Sequence, residues 1–225
     1  MREPIFAAIK AARAGATFTQ AEVARIDALL DSLSVPTNGA SFRNVEAFWG
    51  GLRKVTGVLD GVQVDIVNRL LADTTDWGNG WLAYALATAW HEARLKPIEE
   101  WGKGKGKAYG TVNSTGKVPY GRGLVQLTWH DNYKRADTEL NLGGALIKNY
   151  DLALDPEIAV KIMVRGMEAG WFTGKSLGSY IAKDHAGTPS QFVNARRIIN
   201  GTDKDDLIAG YAVKIQDALI AGGRA

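Results

Sequence analysis

A chain of 225 residues, 46% hydrophobic and 23% charged, has the balance of an ordinary globular protein able to bury a real core. Without cysteine it has no disulfides, thiolate nucleophiles or cysteine-ligated metals. The net charge of +3 and isoelectric point near 9.0 attract anionic surfaces mildly, too weakly to choose among nucleic acid, lipid and wall polymers.

The first elements read as helices. Ile5 to Ala14 is alanine-rich, and Thr19-Gln20-Ala21-Glu22 has the form of a capping box ahead of Val23, Ile26, Leu29 and Leu30 at helical spacing. Ser34 to Gly39 then breaks the pattern. A similar pair recurs weakly over Phe48–Lys54 and Asp60–Leu71, so residues 1–45 are expected to be an accessory helical hairpin and 46–225 the main domain. Met1-Arg2-Glu3-Pro4 and the stretch after it lack the apolar core of a secretory signal. No run approaches the roughly 20 apolar residues of a membrane span.

Trp77-Gly78-Asn79-Gly80 predicts a turn, and Trp81 to Arg94 a strong helix stopped by Lys96-Pro97. Five glycines in 102–119 predict an irregular loop or short hairpin. Helix is expected again from Gln126, and Asp155-Pro156-Glu157 caps another through Met167. A last pair covers roughly 189–199 and 203–220, the second capped by Thr202 or Asp203. The fold class expected is mainly α, with at most a small β-hairpin.

Between residues 91 and 133 the chain concentrates His91-Glu92, Glu99-Glu100 and the ribbon Tyr120-Gly121-Arg122-Gly123-Leu124-Val125-Gln126-Leu127-Thr128-Trp129. Two carboxyl sites beside polar and aromatic side chains are what acid/base cleavage of a glycosidic bond requires. Glu92 shares a helix face with Ala85, Thr88 and Ala89, which would allow close approach of another element or a ligand. At a helix C-terminus it sits among the negative ends of peptide dipoles, a setting that suits a general acid. The bland alternative is a solvent-facing glutamate paired with Arg94 or Lys96. His91 reads as a packed histidine, because no HExxH or local histidine pair supports a metal. Gly102-Lys103-Gly104-Lys105-Gly106-Lys107 lacks the phosphate-loop pattern and reads as a solvated basic loop able to attract an anionic polymer.

These motifs, with Asn132-Tyr133, Asn149-Tyr150-Asp151-Leu152 and Arg196-Arg197-Ile198-Ile199-Asn200-Gly201, resemble glycoside hydrolase family 19, which contains chitinases and phage or prophage endolysins. The resemblance spans about residues 48–220. It implies a lysozyme-like, two-lobed helical domain with Glu92 as general acid and a second carboxylate, Glu100 or alternatively Glu99, activating water for inversion. It further implies that Thr128 helps hold the water and that Tyr120, Gln126 and Asn132 bind sugar, with Arg197 and Asn200 closing the far side. Arg122 is read as structural. No metal or cofactor is implied.

Family members of the plant type have Thr and glycines after the His-Glu pair, where this chain has Ala93-Arg94-Leu95-Lys96. That departure, with the absent cysteine and signal, points to a monomeric endolysin acting on peptidoglycan strands. It would be held in the host bacterial cytoplasm until a holin-type partner releases it to the wall. Chitin hydrolysis by the same residues and non-catalytic glycan binding are the rivals. Nucleic-acid binding is disfavoured, because the lysines gather in a glycine loop and not along a helix face.

Overall fold

In a computed structural model, the protein is described at Thr19, Glu22 and residues 42–224. The chain divides into two compact units, residues 1–38 and 39–225. Of the expected N-terminal hairpin, only the capping box falls on described residues. There Thr19 N–H donates to Glu22 Oε2 at 3.0 Å and Glu22 N–H to Thr19 Oγ1 at 3.3 Å. The helices expected at either side of it, and the first copy of the weak repeat, lie outside the described residues.

The second unit is mainly helical. Helices α1 (Val45–Thr56), α2 (Gly61–Asp73) and α3 (Asn79–Ala93) precede a two-stranded antiparallel sheet, β1 (Ile98–Glu99) and β2 (Arg122–Gly123). The register places Ile98 opposite Gly123 and Glu99 opposite Arg122. Then follow α4 (His130–Glu139), α5 (Ala145–Lys148), α6 (Pro156–Ala169), α7 (Pro189–Ala195) and α8 (Asp205–Ala221).

Helix α3 is buried nearly all round, from Gly80 to Ala89, as expected of a helix apolar on every face. It is the central element, flanked most extensively by α8, which also packs on α1 and α7. The α1–α8 crossing is close enough that a Cβ on Gly51 would lie 2.5 Å from Ala218 Cβ, so only glycine fits there. Phe48, Leu52, Leu70, Leu82, Leu86 and Phe192 are fully enclosed in the resulting core.

Local chemistry sets many of the helix ends. Asp60 and Gln63 form a capping box that starts α2, and Thr188 with Gln191 does the same for α7. Asp155 accepts from Glu157 and Ile158 N–H ahead of Pro156, as the sequence predicts. Several boundaries differ from expectation: α3 opens at Asn79, inside the expected turn, and α7 ends at Ala195, short of 199. Helix α3 ends at Ala93, before the proline, because Arg94 and Leu95 adopt left-handed φ of 52° and 56° and return N–H groups to Trp90 and Ala89 carbonyls. Helix α4 begins at His130 and not at Gln126, since Gln126 and Trp129 both have positive φ. Helix α8 follows Lys204 in left-handed conformation, in place of a Thr202 or Asp203 cap.

Removing the Asp155 cap leaves two first-turn N–H groups of α6 without a partner. Asp155→Ala is expected to cost about 1 kcal/mol. Urea denaturation should show a lower midpoint at unchanged slope, and an unchanged midpoint would contradict the assignment.

Candidate functional site

Glu92 lies in the last turn of α3 with its side chain 19% exposed. Neither Arg94 nor Lys96 pairs with it. Arg94 stacks over the Trp90 ring at 4.7 Å, and Lys96 pairs with Asp60 at 2.5 Å. Its partner is Arg196, 2% exposed, whose Nη1 donates to Glu92 Oε1 at 2.5 Å and whose Nε donates to the Asp203 carbonyl at 2.8 Å. Burying a guanidinium is costly unless a carboxylate and carbonyls meet it, and both do here. Beside it, His91 is half-buried, and loss of hydration holds its imidazole below the usual 6.5, with the Glu92 charge opposing. On the same α3 face the Thr88 and Tyr84 hydroxyls are buried close to one another.

After a short turn the chain enters β1, which separates the two adjacent glutamates. Consecutive residues of extended chain point to opposite sides. Glu99 accepts from the Tyr120 hydroxyl and pairs with Lys103 at 3.0 Å. The Tyr120 hydrogen bond, then Lys103, holds its carboxyl below the ordinary value of 4.5. Glu100 has neutral donors on both oxygens: the Tyr109 hydroxyl at 2.8 Å and the Gly121 N–H at 3.0 Å. Its own N–H donates to the Gly121 carbonyl at 2.7 Å, locking this residue to the ribbon. Desolvation first, and the Glu100 bond second, push the Tyr109 hydroxyl up to about 12, so it remains a donor through the neutral range.

The ribbon is organised by Arg122, 6% exposed. Its Nε pairs with Asp151 at 2.8 Å, and Nη1 reaches the Tyr120 carbonyl at 3.1 Å, the Tyr133 hydroxyl at 3.2 Å and the Val118 carbonyl at 3.3 Å. Its guanidinium lies 3.5 Å from the Tyr120 ring centroid. Tyr133 stacks on Tyr150, and the Tyr150 hydroxyl meets His130 Nδ1 at 2.6 Å and Asn113 Nδ2 at 2.9 Å. Trp129, half exposed, contacts Tyr109 edge-on at 5.5 Å between centroids.

The other sequence-selected residues are placed as follows. Gln126 Nε2 donates to the Ile98 and Gly123 carbonyls, both at 3.1 Å, tying the ribbon turn to β1. Asn132 Nδ2 donates to the Thr128 carbonyl at 2.9 Å, and Thr128 is half-buried beside Trp129. Arg197 is exposed and turned to Asn194 at 2.8 Å, while exposed Asn200 accepts from the adjacent Gly201 N–H. It is Arg196, passed over in the sequence, that reaches Glu92. Its signal was an arginine four residues after Phe192, on the buried face of α7 and the turn that follows. Tyr109 carried no signal, because nothing in 102–119 has apolar periodicity. Among the described residues no group of three acidic or histidine side chains is disposed to hold a metal.

A carboxyl held low by a folded-state hydrogen bond contributes stability above its unfolded value, lost as pH falls through the folded one. For Glu99 that window lies below 4.5. Tyr120→Phe should move the Glu99 titration midpoint upward, read by carboxyl-carbon NMR. A static midpoint would remove Tyr120 as the main cause.

No family model matches the sequence, and no curated protein matches it. Among solved structures, a crystal structure of a chitinase C mutant is similar at TM-score 0.50 and 18% identity, over 84% of this chain and 96% of that one. Chitinase C from Streptomyces griseus is similar at TM-score 0.44 and 19% identity, over 87% and 92% of the two chains. The first of these likenesses shows a chitinase-like fold.

Proposed function

We propose that this protein is a glycoside hydrolase of endolysin type, cutting β-1,4 bonds of peptidoglycan strands by an inverting acid/base mechanism. The observation that carries this reading is the unequal setting of its carboxyl groups. Glu92 has one oxygen on Arg196 and the other without a partner among the described residues, available to protonate the leaving glycosidic oxygen. Glu100 is oriented by two neutral donors and has no cation on it among the described residues, so each oxygen keeps a lone pair for an attacking water. Glu99 is the poorer base, because Tyr120 and Lys103 lower its proton affinity. Thr128 would help hold the water. Tyr120, Gln126 and Asn132 would bind sugar, with amide and hydroxyl groups suited to sugar hydroxyls and N-acetyl groups. Neither step calls on a metal or cofactor.

Chitin is the second reading, favoured by the likeness of fold to chitinase C. Peptidoglycan is preferred because Ala93-Arg94-Leu95-Lys96 replaces the residues that shape chitin subsites in plant-type relatives. Under this reading the protein works as a monomer and reaches the wall from the cytoplasm through a holin-type partner.

Glu92→Gln and Glu100→Gln should each lower release of new reducing ends from purified sacculi by about 10²- to 10⁴-fold, with the far-ultraviolet dichroism unchanged. Glu99→Gln should retain most activity. Activity surviving in Glu100→Gln but lost in Glu99→Gln would reverse the assignment of the base. Turnover of chitin oligomers without turnover of sacculi would replace peptidoglycan by chitin.

A further inference from the structure

Charge is unevenly distributed along this chain. From Trp101 to His130 there are four lysines and one arginine, and no aspartate or glutamate. The whole sequence has 27 basic and 24 acidic residues, so the remainder holds 22 basic against 24 acidic and is acidic on balance. The entire positive excess lies in the segment that forms the ribbon and the loop beside it.

That loop holds its charge in order. The N–H groups of Lys103, Lys105 and Lys107 donate to the carbonyls of Glu100, Gly102 and Gly104 at 3.0, 2.9 and 2.9 Å, a run of overlapping turns. Gly104 is buried, and a Cβ there would lie 2.7 Å from Gly110 Cα and 3.2 Å from Tyr120 Cβ, so the run is seated on the ribbon. All three lysines are exposed. Lys103 is engaged by Glu99, whereas Lys105 and Lys107 have no carboxylate partner among the described residues. Trp101, at the loop's start, is 98% exposed. A bare indole next to unneutralised ammonium groups gains little from the fold and offers a stacking face and charge to a ligand.

We propose that the 101–107 loop is a docking strip for an anionic polymer, and that it selects glycan strands bearing carboxylate groups over neutral ones. The proposal rests on the glycan-cleaving reading and names the substrate class of that site. Lysine ammonium groups are mobile point charges, suited to long-range attraction of a repeating polyanion without a fixed bidentate geometry. A lipid surface would also attract lysine and tryptophan. The loop is joined to Glu100 and seated against Tyr120, so a chain bound on it is continuous with the chain presented to the carboxylates.

The test uses Glu92→Gln protein, sedimented with native sacculi and with sacculi whose carboxylates have been amidated, at low and high salt. Adding Lys105→Gln with Lys107→Gln should weaken binding to native sacculi about tenfold at low salt and hardly affect binding to amidated sacculi. Trp101→Ala should weaken binding to both. In the protein with Glu92 intact, the double lysine substitution should leave hydrolysis of amidated sacculi unchanged. Equal binding by the lysine variant, or equal loss on native and amidated sacculi, would overturn the proposal. So would lysine-dependent retention on phosphatidylglycerol vesicles exceeding that on sacculi. If no glycan is hydrolysed at all, the proposed activity fails, while the lysine- and carboxylate-dependent binding is still read separately.

Discussion

The constraint on which the site depends is the burial of the Arg122 guanidinium. An arginine almost without solvent must find its partners in the protein, and this one finds a carboxylate, two carbonyls, a phenol and an aromatic face. Those partners come from three places in the chain: Val118–Tyr120 just before it, Tyr133 in α4, and Asp151 in the turn before α6. The planar fork fixes their directions together, which a lysine at this position would not do. Because Arg122 also stands opposite Glu99 in the two-stranded sheet, the same anchor places Tyr120 and Gly121, the donors to Glu99 and Glu100. The sheet is too short to be stable by its own ladder. It is the side-chain node behind it that makes it a rigid support.

A second buried arginine does comparable work at the other carboxyl. Arg196 joins the turn after α7 to the end of α3, and its Nε holds the loop before α8 through the Asp203 carbonyl. Two parts of the chain far apart in sequence, the end of α3 and the segment from Arg196 to Asp203, thus meet at Glu92. The two arginines act differently on the chemistry: Arg196 touches its carboxylate directly, whereas Arg122 acts on Glu99 and Glu100 through the ribbon. The carboxyl groups are therefore held by separate frames, one in the helical core and one in the sheet.

How much of this could be read in the sequence follows from which interactions are local. The caps at Asp60, Asp155 and Thr188 bond within three residues of themselves, and the helices they start are where the pattern puts them or nearly so. The candidate carboxyl residues and the polar ribbon were also visible as clustered residue types. The start of α4 was not legible. Gln126 and Trp129 are pulled out of helical conformation by distant partners: Gln126 by the Ile98 carbonyl, Trp129 N–H by the Pro119 carbonyl. Arg196 and Arg197 differ by one step of a tight turn, and that step decides between a buried ion pair and an exposed contact with Asn194. Glu99 and Glu100 differ likewise by one step of extended chain.

That last pair shows how the basic loop bears on the carboxyl chemistry. Lys103 has a positive φ of 49° and follows Gly102, whose φ is 77°, so the backbone curls back immediately after Glu100. The curl returns the Lys103 ammonium to Glu99, four residues earlier, though no helix connects them. A cation that claims one of two adjacent glutamates leaves the other to neutral donors. Had the chain continued extended, Glu99 would keep only the charge of Arg122 opposite it, and the two carboxylates would repel one another with no lysine between them. The glycine-lysine alternation thus separates two neighbouring acids into a charge-paired one and an unpaired one, and it sends the next two lysines outward. The loop that distinguishes Glu100 from Glu99 is in this way also the source of the positive charge facing solvent beside it.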